Sequence, residues 1–146
     1  MRPESVEEGR RWLEQARHDL RWADDLARRG GYHIACFLAQ QVAEKALKAL
    51  LYARGAETVL GHSVQRLGAD AAAYDSSIAD AARRWAILDG YYIPTRYPNG
   101  LPESIPALVF TEEAAQDAVD LAREVVEAVS RRFEAAPPGR DADGGR

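Results

Sequence analysis

The segment of helical period at residues 34–51 constrains this chain most, because it is apolar on most of its circumference yet has one concentrated polar stripe. At about 100° per residue, five polar side chains fall within an arc of roughly 140°. This polar stripe consists of Gln40, Gln41, Glu44, Lys45 and Lys48. A helix with so much apolar surface is typical of the centre of a bundle. The polar stripe must therefore find partners inside the protein or line a cleft.

Periodic apolar patterns along the rest of the chain predict an all-α, up-and-down bundle of about five helices. The first helix is expected to begin with a capping box at Ser5 and to end at Gly30-Gly31, and the central helix is expected over 32–54. His62-Ser63 should precede a third helix. Ser77 is expected to cap a fourth helix that reaches Tyr92, and Thr111 is expected to cap the last. We assign residues 1–134 to the bundle. Residues 135–146, rich in Pro, Gly and Asp, are predicted to form a disordered tail.

Composition limits the classes of function. A length of 146 residues with 47% hydrophobic content fits one domain with a sizeable core. The sequence has no apolar run long enough to span a membrane and nothing like a signal peptide, so we expect a cytoplasmic protein without a membrane partner. The single cysteine, Cys36, rules out an internal disulfide and is expected to be a packed thiol. No motif for a metal or cofactor occurs, and none is expected.

The segment between residues 93 and 110 contains four prolines and one arginine, Arg96. Proline at that density prevents a continuous helix, and a connection this long is often functional. The planar guanidinium of arginine suits a phosphate, so Arg96 is a candidate anion contact. The alternative is a structural salt bridge that holds the segment. The neighbouring Tyr91, Tyr92 and Tyr97 can stack on bases or pack in the core or a dimer interface.

These elements, in this order, resemble the HEPN family (higher eukaryotes and prokaryotes nucleotide-binding domain). The matching pieces are residues 16–20, Phe37 with the polar stripe, His62 before a short helix, and residues 91–98. The resemblance extends from about Trp12 to Phe133. It implies a helical bundle that forms a homodimer and acts on nucleotides or RNA. It also implies a minimal nucleotidyltransferase partner in a toxin–antitoxin-like pair.

The resemblance also allows the residues after Arg96 to be compared with the catalytic motif of the family. In HEPN ribonucleases an arginine followed after four to six residues by histidine cleaves RNA without a metal, with two copies meeting across the homodimer. Here Leu101, Pro102 and Glu103 occupy the three histidine positions. We therefore expect a nucleotide- or RNA-directed binding module. The alternatives are an endoribonuclease in which another group, such as His62 or Tyr97, replaces the histidine, and a structural scaffold.

The candidate site combines both segments. Arg96 is the candidate catalytic residue, and the candidate ligand-binding groove comprises Gln40, Gln41, Glu44, Lys45, Lys48, Arg96 and Tyr97. Each has a structural alternative. The charged members of the polar stripe can pair with Asp19 and Arg17 of the first helix, and the glutamines can bond loop backbone. His62 is expected to bond local backbone at the start of the third helix.

Overall fold

The computed structural model describes residues 2–134, and within that range the chain is helical and contains no strand. The α-helices are α1 (Pro3–Arg29), α2 (Tyr32–Ala53), α3 (Val64–Tyr74), α4 (Ala79–Trp85), α5 (Pro106–Val109) and α6 (Glu112–Glu134). Short 3-10 helices cover Ser76–Ile78, Ala86–Tyr91 and Pro98–Gly100. The predicted all-α bundle is confirmed, with six α-helices in the described range where about five were expected. The predicted disordered tail lies outside the described residues.

Helix α2 is the centre of the bundle, since it packs against both α1 and α6, which also contact each other. Its core face is rich in small residues, and Ala35, Ala39 and Ala43 are fully buried. Small side chains allow the helices to approach closely. At Gly9 of α1, an added Cβ would lie 2.6 Å from the Ala49 carbonyl oxygen of α2, so there is no room for a side chain at that crossing.

Several helix ends follow the sequence expectations. Gly30 has a φ of 98°, which an L side chain rarely adopts, and it lets the chain turn sharply from α1 into α2. The Ser63 hydroxyl accepts a hydrogen bond from the Arg66 amide at 3.0 Å. Thr111 does the same for the Ala114 amide at 3.1 Å. The predicted starts of α3 and α6 are therefore confirmed.

Two predicted caps are wrong. Helix α1 begins at Pro3, with Ser5 buried inside its first turn, because proline's fixed φ suits the first helical position. Near the fourth helix, Ser77 does not cap; its amide instead donates to the Asp75 carboxylate at 3.1 Å. Helix α4 is also shorter than expected, and Tyr92 follows a 3-10 helix rather than lying on α4.

The proline-rich segment is locally ordered by its own backbone. Pro98 and Pro106 each begin a short helical turn, where their missing amide costs nothing. Ahead of them, Thr95 is buried and its hydroxyl donates to the Tyr91 carbonyl. The Arg96 amide donates to the Ile93 carbonyl at 3.0 Å. These bonds fix the backbone from which the Arg96 side chain extends.

Candidate anion-binding site

The Glu44 carboxylate is the centre of a buried polar network on α2, and its side chain is only 6% exposed. Gln40 and Gln41 donate to it at 3.3 and 3.2 Å. Lys48 donates at 3.4 Å, and the His62 ring nitrogen Nδ1 lies 3.0 Å away. We call these five residues the Glu44 network. Most of the polar stripe is therefore satisfied by partners inside the protein.

Lys45, the remaining member of the polar stripe, points toward α1. Its ammonium group lies 2.5 Å from the Asp19 carboxylate, so the predicted pairing of the stripe with Asp19 is confirmed. The predicted pairing with Arg17 is wrong, because Arg17 donates instead to the Ser130 hydroxyl of α6 at 2.8 Å. Lys45 thus links α1 to α2 and lies outside the Glu44 network.

His62 joins the Glu44 network to the aromatic residues of the later segment. Its ring stacks on Tyr92 with a centroid distance of 5.2 Å and an interplanar angle of 18°. Its carbonyl accepts a hydrogen bond from Gln40 at 2.8 Å, which confirms the backbone contact expected of a glutamine. The expectation that His62 bonds local backbone is wrong, since its Nδ1 contacts Glu44 and its carbonyl accepts from Gln40, both on α2. Its side chain is still 61% exposed.

Asp89 is a residue of this site that the sequence did not indicate. Its carboxylate accepts from the amides of Val64 at 2.7 Å and Gln65 at 2.9 Å, and from the Ser63 hydroxyl at 3.1 Å. It therefore fixes the first turn of α3, directly after His62, to the 3-10 helix that precedes Tyr92. No local sequence signal reports this contact, because Asp89 acts at a helix start 25 residues earlier in the chain.

The Arg96 guanidinium is held among three aromatic rings. Its central carbon lies 4.4 Å from the ring centroid of Tyr92, 4.6 Å from that of Phe37 and 5.0 Å from that of Tyr97. Its Nε donates to the Tyr92 carbonyl at 2.8 Å. Within residues 2–134 the two terminal nitrogens have no hydrogen-bond acceptor and no carboxylate partner. The salt bridge considered as the alternative role is not found there.

Arg96 and His62 contact the same ring, since both lie within 5.2 Å of the Tyr92 centroid. We call Phe37, His62, Tyr92, Arg96 and Tyr97 the Arg96 cluster. Aromatic faces stabilise a guanidinium without using its hydrogen-bond donors. The planar fork of Arg96 is thus oriented and retains its capacity for a bidentate contact with phosphate or carboxylate.

Cys36 is fully buried, and burial raises the pKa of its thiol to about 11, so it is protonated and unreactive near neutral pH. Across residues 2–134, no group of histidine, cysteine and acidic side chains is arranged to hold a metal ion. In the same range no helix is both long and apolar enough to cross a membrane.

The segment that contains Arg96 also exposes apolar side chains. Ile93, Tyr97 and Ile105 are each close to half exposed, and Leu108 is 78% exposed. Such side chains on one segment are typical of surfaces that contact another molecule.

Comparison with known proteins agrees with the all-helical fold. The model of the HEPN domain family matches residues 10–132, which is most of the chain, and this chain belongs to the HEPN family. A crystal structure of the protein TT1696 from Thermus thermophilus is 41% identical, with a TM-score of 0.71 over 84% of this chain and 96% of that one. The structure of ST0689, an archaeal HEPN homologue, is 34% identical, with a TM-score of 0.67 over 91% and 99% of the two chains. No curated protein sequence matches significantly.

Proposed function

We propose that this HEPN protein is a nucleotide- or RNA-directed binding module that holds a phosphate group with Arg96. It acts as a cytoplasmic homodimer and works with a minimal nucleotidyltransferase in a toxin–antitoxin-like pair. The observation that supports phosphate binding best is the orientation of Arg96 by three aromatic rings while its two terminal nitrogens lack an acceptor within residues 2–134.

The direct test is binding of a fluorescently labelled single-stranded RNA, followed by anisotropy. Loss of a charge-assisted hydrogen bond typically costs about 1.5–3 kcal/mol, so Arg96→Ala should weaken binding roughly 10- to 100-fold. Arg96→Lys keeps the charge but loses the fork and should bind with intermediate affinity. Arg54→Ala is the matched control, since Arg54 is exposed at the end of α2. Equal affinity of Arg96→Ala and wild type would contradict the proposal.

The proposal of a dimer is supported by the exposed apolar side chains on the segment that contains Arg96, above all Leu108. Light scattering at micromolar concentration should give twice the chain mass of 16.1 kDa. Leu108→Glu places a charge on that surface and should shift the protein toward the monomer. The monomeric variant should melt at the same temperature as monomeric wild type. A wild-type protein that remains monomeric on concentration would contradict the dimer.

The nucleotidyltransferase partner rests on family membership alone. Co-purification of the untagged chain with the product of the adjacent gene tests it. A stable complex with a small nucleotidyltransferase is the expected result. An adjacent gene that encodes a protein of another class would contradict the proposed partner.

A second candidate function is metal-independent endoribonuclease activity. One observation favours it: the chain lacks the expected histidine after Arg96, but His62 lies against the same Tyr92 ring as Arg96. Cleavage of RNA in the presence of a chelator, lost in Arg96→Ala, would favour this function over binding alone.

A further inference from the structure

We propose that the groove between α6 and the 3-10 helix Ala86–Tyr91 binds a cationic amphipathic helix of a protein partner. The groove has a volume of about 400 Å³. Its lining includes Ile87 and Tyr91 on one side, and Asp117, Asp120, Leu121 and Glu124 of α6 on the other. We call these six residues the α6 groove. None of them belongs to the Arg96 cluster or to the Glu44 network, so the proposal goes beyond the phosphate contact of Arg96.

The α6 groove offers an apolar contact point. Ile87 is 64% exposed, although the next residue, Leu88, is fully buried in the core. The ring of Tyr91 is held at one edge by Phe110, with a centroid distance of 5.9 Å and an interplanar angle of 75°. An exposed isoleucine beside a fixed aromatic ring is a surface that an apolar side chain of a partner can cover.

The α6 side of the groove belongs to a longer acidic stripe. At about 100° per residue, all five acidic side chains of residues 113–127 fall within an arc of roughly 80°. This acidic stripe consists of Glu113, Asp117, Asp120, Glu124 and Glu127. Like charges three and four residues apart on a helix repel each other and weaken it. A cationic helix that lies along the acidic stripe relieves this repulsion.

The carboxylates of the groove remain able to contact a partner. Asp120 pairs with Arg123 at 3.1 Å, and Glu124 pairs with Arg84. Both ion pairs are exposed, and exposed pairs are weak enough to exchange for a better partner. Asp117 also lines the groove and has no cationic partner within residues 2–134.

The charge of the groove selects the class of partner. Carboxylates repel the phosphates of a nucleic acid and of an anionic lipid surface. A second copy of this chain fits less well, because its exposed apolar segment 93–109 contains one cation, Arg96, which is already held by aromatic rings. A helix with apolar side chains at every third or fourth position, flanked by Lys or Arg, matches both the apolar contact point and the acidic stripe.

The test uses the ¹⁵N-labelled full chain and the indole N–H signal of Trp85, which donates to the Glu124 carboxylate at 3.0 Å. The probe is a capped helical peptide of about four turns, with leucines on one face and arginines beside them. The Trp85 signal should move and level off as this peptide is added. The signal of Trp12, whose indole donates to Glu8 on α1, should stay in place. The same peptide with glutamate for every arginine should not bind.

Two pairs of variants locate the contact by isothermal titration calorimetry. Ile87→Ser should weaken binding of the arginine peptide by about tenfold, as loss of a central apolar contact does. Leu60→Ser, at another exposed apolar position, is its control and should bind like wild type. Asp117→Asn should weaken binding by about two- to fivefold. Glu57→Gln, at an exposed acidic position after α2, is the control for that loss of charge.

Three results would overturn the proposal. The first is a Trp85 signal that does not move at up to about 1 mM arginine peptide. The second is equal affinity of Ile87→Ser and Leu60→Ser, or equal binding of the arginine and glutamate peptides. The third is a Trp85 signal that moves when the protein alone is diluted, because the groove then holds a second copy of the chain.

Discussion

The Glu44 network and the Arg96 cluster both contain charged side chains, but they use them differently. In the Glu44 network the α2 side chains find their partners inside the protein, and Glu44 and Lys48 are almost fully buried. In the Arg96 cluster the guanidinium is held by aromatic faces and one backbone carbonyl, and its fork is left without an acceptor in the described range.

The difference separates residues that build this fold from residues able to contact a ligand. A charged side chain on a central helix is retained only if partners replace its lost hydration. A charged side chain on a half-exposed segment remains hydrated, and aromatic faces can orient it at little cost. His62 contacts both regions, since its Nδ1 bonds Glu44 and its ring stacks on Tyr92.

The largest effect on stability is expected in the Glu44 network. Glu44→Ala leaves the buried Lys48 ammonium without its carboxylate and removes one of the acceptors of the Gln40 amide, which should lower the free energy of unfolding by about 2–4 kcal/mol. Urea denaturation measures it. Glu57→Ala, at an exposed position after α2, is the matched control and should change stability by under about 0.5 kcal/mol. A Glu44→Ala protein as stable as that control would mean that the network is not structural.

A smaller loss is expected from Gly9→Ala, which tests the close crossing of α1 and α2, the helix that carries the Glu44 network. The new Cβ would lie 2.6 Å from the Ala49 carbonyl oxygen, so α1 must move away from α2. Overpacking of this kind typically costs about 1–3 kcal/mol, part of which the better helix propensity of alanine offsets. Gly90→Ala, just before Tyr91, would meet nothing within 4 Å and should be near neutral. Equal melting temperatures of the two variants would contradict the tight crossing.

The smallest effect concerns an ion pair outside both regions. Hydrogen bonds from Ser77 and then from Arg132 lower the pKa of Asp75 from 3.8 to about 2. A carboxyl group whose pKa is lower in the folded than in the unfolded protein stabilises the fold fully when the pH is above its unfolded-state pKa. That contribution is lost as the pH falls through its folded-state pKa. The melting-temperature difference between wild type and Asp75→Asn should therefore be constant from pH 7 to about 5 and narrow below pH 4. A difference that widens in acid would contradict this assignment.

The sequence predicted the helices well because their apolar periodicity and glycine ends are local signals. The predicted caps at Ser5 and Ser77 were wrong for two reasons. Pro3 begins α1 two residues before Ser5, and the Asp75 carboxylate accepts from the backbone amide of Ser77. The sequence predicted which residues form the polar stripe. It did not predict that Lys45 would pair with Asp19 while the other four residues join the Glu44 network. That division depends on which residues of α1 and of the connection before α3 face α2. Asp89 could not be found for the same reason, since its role exists only in three dimensions.

The central claim is that Arg96 contacts a ligand while the α2 residues of the Glu44 network are structural. A titration of the ¹⁵N-labelled protein with adenosine 5′-monophosphate tests both halves at once by nuclear magnetic resonance. The Nε–H signal of Arg96 is assigned by its loss in Arg96→Lys. Its chemical shift should change as the nucleotide is added and level off when the site is saturated. The side-chain amide signals of Gln40 and Gln41 should stay where they are. Movement of the glutamine signals with an unchanged Arg96 signal would contradict the account, because the ligand would then bind at the polar stripe of α2.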